Sequence, residues 1–272
     1  MSALPVLEDT VPPASGTEPV GVLGASLPPL LRRVLAEGLA FAPDGTRVPL
    51  HSNISLEEAE LLYRGLRRLR PARTLEIGLA QGISTLAILQ ALEDNGSGRH
   101  CVLDPFQHRF GNVGLAMVEQ AGLAGRLEFH ARFAEEVIPA LSPVEFAFID
   151  SSHLFDLTVA EFVLVDKKLA VGGVVGLHDL WMPSLQKVVR YALANRSYEL
   201  ARDWNGPALS RPVSVRQSLK RKLLRLLQVV PGKERLFREE LLRPWCSITE
   251  DNLVFLRKTG EDQRDWQFHR PF

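Results

Sequence analysis

Apolar residues along the chain fall into two kinds of run. Thr74–Ile77, His100–Leu103, Leu127–His130, Phe146–Ile149 and Val174–Leu177 are short and nearly continuous, which predicts strands buried in a parallel sheet. Between them, apolar positions recur at helical spacing. Leu86, Ile88, Leu89 and Leu92 follow Ser84, and Asn112–Ala121 and Phe133–Leu141 read as helices. Phe162, Val165 and Leu169 line Asp156–Leu169, and Leu185, Val188, Val189 and Ala192 line Pro183–Asn195. Strand and helix alternate, which predicts an α/β fold on a parallel sheet. Tyr198–Trp204 and Asn252–Arg257 read as two further strands.

The flanks carry other patterns. Met1–Ser26 is rich in Pro, Gly, Ser and Thr and reads as a flexible tail. Leu27–Leu39 carries a first helix, and Ala40–Asn53 reads as a loop turning at Pro43-Asp44-Gly45. Ser55 and Glu58 form a capping box that starts a second helix, with Leu62, Leu66 and Leu69 as its stripe and Pro71 as its stop. Arg211–Val230 holds six basic residues and no acidic one, with Leu219, Leu223, Leu226 and Val230 on one arc. This basic amphipathic helix suits a lid or dimer contact, with an anionic surface as the alternative. The expected division is a tail at 1–26, a helical extension at 27–70, a core at 71–206, a basic helical insertion at 207–247 and a last strand with its tail at 248–272.

Lysine and arginine total 32, as do aspartate and glutamate, so no net field argues for nucleic acid or an anionic membrane. Cys101 and Cys246 have no metal-ligand spacing, and this usage suits a reducing cytoplasm. No apolar run reaches the roughly 18 residues of a membrane span, and the N-terminus lacks a signal-peptide pattern. The arginine, leucine and alanine bias suggests a bacterial genome rich in GC.

Chemistry concentrates at strand ends. Glu76-Ile77-Gly78-Leu79-Ala80-Gln81-Gly82-Ile83-Ser84 places a glycine-bracketed turn between a strand and a helix start, a ligand cradle. The middle glycine of a dinucleotide fingerprint is absent, and Glu76 would repel a pyrophosphate. The turn therefore suits a ligand with a cationic amino group, such as S-adenosylmethionine (SAM). Asp104 ends the next strand, where a carboxylate can bind a ribose diol, of SAM or of NAD alike, and Phe106 just beyond can flank an adenine. Asp150-Ser151-Ser152-His153 and His178-Asp179-Leu180-Trp181 end two further strands. Carboxylates and imidazoles converging there can bind a divalent metal.

The Glu76–Ser84 pattern resembles motif I of class I SAM-dependent methyltransferases. It is closest to the small-molecule O-methyltransferases of the caffeoyl-CoA type and the related sugar and macrolide enzymes, over roughly Leu50–Arg196. The resemblance implies a Rossmann-like seven-stranded fold closed by an antiparallel pair. It implies that Glu76, Gly78, Gly82 and Ser84 hold the methionyl part of SAM and Asp104 the ribose. Phe133 falls where related enzymes contact adenine, although the helix it opens would equally bury it in the core. It further implies a metal (magnesium or manganese) on Asp150 and Asp179 with His178 as third ligand, and His153 as general base near its ordinary pKa. His178-Asp179 stands where the caffeoyl-CoA type carries Asp-Asn, so a nitrogen replaces an oxygen. His51, Ser52 and Asn53 precede the motif where such enzymes close over their ligands, or else form a solvated loop. The expected activity is methyl transfer to a hydroxyl of a small molecule, of sugar or natural-product type, by a cytoplasmic enzyme whose dimeric state is open. An NAD-linked oxidoreductase and a metal-dependent hydroxylase-like relative are the alternatives.

Overall fold

The computed structural model describes residues 24–205, 252–268 and 270–272. The basic stretch Arg211–Val230, Cys246 and most of the N-terminal tail lie outside the described residues. In chain order the elements are α1 (Pro29–Glu37), β1 (Leu39–Phe41), β2 (Arg47–Pro49), α2 (Leu56–Leu69), β3 (Arg73–Ile77), α3 (Ile83–Asn95) and β4 (Arg99–Leu103). There follow α4 (Val113–Gln120), β5 (Leu127–His130), α5 (Ala134–Val137), β6 (Val144–Ile149), α6 (Phe155–Asp166) and β7 (Leu169–Leu177). The chain closes with α7 (Pro183–Asn195), β8 (Tyr198–Leu200), α8 (Arg202–Asn205) and β9 (Val254–Lys258).

Among the described residues the central sheet has seven strands in the order β5-β4-β3-β6-β7-β9-β8. The first five run parallel, and β9 lies antiparallel between β7 and β8. The alternating pattern predicted the parallel part of this sheet, and the resemblance implied the Rossmann-like seven-stranded whole with its antiparallel pair. Each strand feeds one apolar layer on each face. Phe146, Phe148, Val174 and Phe255 pack with α1 to α4 and α8 on one side. Leu75, Ile77, Ala147, Ile149, Val175, Leu177, Val254 and Leu256 pack with α5 to α7 on the other. Side chains that alternate along a strand require this two-sided burial.

Register fixes the site. Ile77 pairs with Leu103 and with Ile149, and Ile149 pairs with Leu177. All four are buried in one layer, so a slip by one residue would turn an apolar side chain out of it. The strands therefore end level, and Gly78, Asp104, Asp150 and His178 leave them in a row. The backbone continues the ladder there, with Gly78 N donating to Leu103 O at 2.9 Å and Asp150 N to Ile77 O at 3.0 Å.

Three local expectations change. The loop at Ala40–Asn53 contains an antiparallel hairpin, β1 with β2, around the predicted turn. Its strands have three residues each, too few to show a period. The stretch Tyr198–Trp204 is a strand only to Leu200 and then turns into α8, which seats Trp204 against Phe146 at 5.2 Å and Phe255 at 5.0 Å. Gly172-Gly173 lies within the longer strand β7 rather than between elements, with a register shift opposite Val144/Phe146.

Candidate functional site at the level strand ends

The turn after β3 is held from beneath and from three sides. Glu76 is fully buried under it, and its carboxylate accepts from Ser84 Oγ at 2.5 Å, Thr85 Oγ1 at 2.6 Å and His100 Nε2 at 2.8 Å. Glu76 therefore anchors the start of α3 and does not present the open charge expected of it. Ser84 is likewise buried and spent on this bond. His100, whose role sequence reasoning missed, is fully buried between Glu76 and Thr74.

The two glycines answer to backbone contact. Gly78 has φ +97, and a Cβ there would lie 2.1 Å from the carbonyl oxygen of Asp150. Gly82 has φ +83, and a Cβ there would lie 3.1 Å from the backbone of Gly114. Both positions need the left-handed region and close approach, which only glycine combines without strain. The approach is to neighbouring backbone of the same chain, where the sequence suggested a ligand.

Asp104 is buried, and its Oδ2 accepts from Leu79 N and Ala80 N, both at 3.2 Å, while Oδ1 accepts from Phe106 N at 2.8 Å. Beside it Phe106 and Phe133 stand edge to face at 5.7 Å and are 39% and 46% exposed. Burial of Phe133 in the core is thus overturned, because α5 turns it outward. Arg109 lies over the ring of Phe106 at 4.4 Å. The two partly exposed rings stand just beyond the ends of β4 and β5.

At the ends of β6 and β7 the charges crowd. His153 Nε2 lies 3.0 Å from Asp150 Oδ1 and 2.8 Å from Asp179 Oδ2. His153 has φ +60 and Asp179 φ +57, left-handed conformations that non-glycine residues rarely adopt and that concentrate at functional sites. His178 sits behind them, buried, with Nδ1 3.4 Å from Asp150 Oδ2 and 3.7 Å from Asp179 Oδ2, ion-pair distances rather than hydrogen bonds. Its Nε2 lies 3.4 Å from Glu58 Oε1 and 3.1 Å from the amide of Asn252.

The fields reinforce one another. Burial opposes charge on His178, but Asp150, Asp179 and Glu58 outweigh it and its pKa is pushed up to about 12. The hydrogen bond to Asp150 raises His153 against the effect of its burial. Burial works to raise Asp150, yet His153 and His178 hold it below the ordinary value. His178 beside Asp179 holds that carboxyl well below the usual range. Glu58, against its burial, is lowered by His178 and Ser55.

The structure thus brings Asp150, His153 and Asp179 together, with one ligand atom from each inside a common 4.8 Å. His178, expected as the third ligand, is not the nitrogen of that group, since its ring is turned to Glu58, Asn252 and the far side of Asp150. Glu58 and Asn252 had no assigned part. The capping box explained Glu58 completely at the sequence level, and Asn252 arrives from 73 positions beyond Asp179 to donate at 3.2 Å. Trp181 is 70% exposed, and its Nε1 donates to Asp179 Oδ1 at 2.8 Å.

The sequence family described as a methyltransferase domain matches residues 75–180. Caffeoyl-CoA O-methyltransferase 2 of Petunia hybrida is 29% identical over 153 residues, covering 50% of this chain and 61% of that protein. Caffeoyl-CoA O-methyltransferase 3 of Nicotiana tabacum is 30% identical over 153 residues, with the same two shares of 50% and 61%. The chain thus spans about 61% of the length of these relatives, and the similarity is confined to about half of it. The O-methyltransferase from Bacillus cereus in complex with S-adenosylhomocysteine superposes with TM-score 0.51 at 21% identity, over 63% of this chain and 82% of that one. An S-adenosylhomocysteine-bound methyltransferase from Podospora anserina gives 0.52 at 16%, over 64% and 82%. At such identities these structures establish the fold. Among the described residues no helix is long and apolar enough to cross a membrane.

Proposed function

We propose that this chain transfers a methyl group from SAM to a hydroxyl oxygen of a small molecule. The observation that carries the reading is the row of level strand ends, with a glycine turn and a pair of exposed aromatic rings at one end and an imidazole between two carboxylates at the other. SAM supplies an electrophilic methyl on a sulfonium. The turn at 78–82 receives its amino-acid end, Asp104 the ribose, and Phe106 with Phe133 the adenine face. Glu76 and Ser84 serve by fixing the turn, not by touching the donor.

His153 takes the proton from the acceptor hydroxyl as the oxygen bonds to the methyl carbon and the C–S bond breaks, releasing S-adenosylhomocysteine. Asp150 and Asp179 stabilise the imidazolium that results, which is the physical meaning of its raised pKa. The exposed indole of Trp181 beside Asp179 offers a flat face for a sugar ring or an aromatic acceptor. The donor set also supports a second reading. Two carboxylates and a ring nitrogen within 4.8 Å fit a divalent cation, which would lower the hydroxyl pKa as a Lewis acid. Asp150, Asp179 and His153 would hold it. The two readings compete for one nitrogen, because a His153 Nε2 that binds a cation cannot carry the proton.

Calorimetric titration with SAM, S-adenosylhomocysteine and NAD tests the donor. Binding of the first two and not the third is expected, and binding of NAD alone would end the proposal. Methyl transfer after exhaustive chelation then decides between base and cation, with retained activity expected for the base.

A further inference from the structure

Gln81 sits in the glycine turn between Ala80 at φ +45 and Gly82, and it is only 3% exposed. Its side-chain amide does not face α3 or the sheet. Oε1 accepts from His51 N at 2.7 Å, and Nε2 donates to Pro49 O at 3.0 Å. One amide therefore pairs with backbone two residues apart, as a neighbouring strand would, across about thirty residues of sequence. The segment it grips leaves the hairpin here: β2 ends at Pro49, and Leu50 N makes a last bond to Gly38 O at 2.9 Å. Farther along, Ser52 has φ +52, and the capping box at Ser55 begins α2 and aims Glu58 at His178. From residue 49 to residue 58 the chain thus runs from the glycine turn to the carboxylate–imidazole centre. His51 also lies against Phe110, 5.8 Å between ring centres, on the 3-10 turn that carries Gln107. Gln107 braces the far side of the glycine turn, with Nε2 donating to Ala80 O at 2.9 Å.

We infer that Gln81 is a positioning residue that latches the segment Pro49–Asn53 onto the donor turn, making that segment a wall of the donor pocket. The inference rests on the donor reading above and adds to it a residue that touches the donor only through the segment it holds. A buried amide with both polar atoms paired is worth keeping only where its partners need fixing. An apolar residue would fill the same buried space without requiring partners.

Gln81→Leu in the full chain tests this, because it keeps approximate volume and removes both bonds. The amide of His51 is expected to lose its protection in hydrogen exchange, together with the rest of 49–53, while α3 and β3 keep theirs. The dissociation constant for S-adenosylhomocysteine and the KM for SAM are expected to rise about ten-fold, with kcat changed less than about two-fold. Gln81→Glu keeps an acceptor for His51 N and loses the donor to Pro49 O, so it is expected to fall between, and it stands in if the leucine variant fails to fold. Unchanged exchange at His51 in Gln81→Leu overturns the latch. A loosened segment with unchanged affinity overturns its part in the donor pocket. An unaltered chain that binds no S-adenosylhomocysteine overturns the donor reading instead, and the exchange measurement still reads the latch.

Discussion

The two ends of the row of strand termini are built on opposite terms. At the end proposed for the donor, Glu76 is saturated by three side-chain donors, and Asp104 Oδ2 is taken by backbone N–H groups of the turn it supports while Oδ1 accepts a single bond. At the acceptor end three carboxylates and two imidazoles crowd one another, and His178 Nδ1 is buried without a hydrogen bond. Saturated groups make a rigid frame, whereas crowded ones keep capacity for a ligand or a proton. On the proposed function, such a site fixes one reactant by structure and activates the other by charge.

Substitutions separate the two ends. The largest effect belongs to the crowded end, where Asp150→Ala is expected to lower kcat/KM for methyl transfer by about 10²–10⁴-fold with the fold intact. An Asp150→Ala chain with undiminished turnover would remove the centre from the mechanism. The mirror case is Glu76→Ala, which strands Ser84, Thr85 and His100 and should cost about 3 kcal/mol in denaturant unfolding. If Glu76→Ala unfolds like the parent, the frame is not what holds the turn.

A smaller effect sharpens the comparison through pH. His178 carries its proton far above the 6.5 of an unfolded chain. Its contribution to stability is complete below that value and drains away as pH rises toward about 12. The lowered Asp150, Asp179 and Glu58 act oppositely, contributing above their ordinary values and losing that contribution as acid protonates them. Urea midpoints between pH 7 and pH 10 should therefore fall for the parent more steeply than for His178→Gln, with pH as the only variable. Parallel curves would mean that His178 does not hold its proton. The smallest effect is at the aromatic pair. Phe133→Ala, at an exposed position, should leave the melting temperature within about 2 °C, yet weaken S-adenosylhomocysteine by about five-fold.

How much of this could be read from the chain differs between the same two regions. The strands were legible because each is a short apolar run, and their polar ends marked the row of site residues. The pairing of Asp150 with Asp179 followed from the β6-α6-β7 connection. The helical stripes at Leu62 and Leu66, at Phe162 and Val165 and at Val188 and Ala192 are buried as their spacing predicts, whereas the facing of Glu76, Phe133 and Glu58 at the strand ends and helix starts was not legible. Glu76 looked like an open charge because its three donors are scattered over 24 positions, up to His100. Phe133 resembled a core residue because a helix follows it, yet α5 is one turn long and aims it outward. Glu58 had a sufficient local explanation in its capping box, which hid its second partner. Gln81 had no signal at all, because an amide in a turn is compatible with solvent and with burial alike.

The placement of β9 has a consequence for the order in which the molecule is made. β7 borders β6 on one edge and β9 on the other, and among the described residues β8 joins the sheet through β9. During translation, β3 to β7 and the glycine turn can assemble while one edge of β7 stays open. That edge closes, and Asn252 reaches His178 and Asp179, only once residues 252–258 have left the ribosome. The donor half can thus be finished on a nascent chain, and the half that would deprotonate the acceptor is completed last.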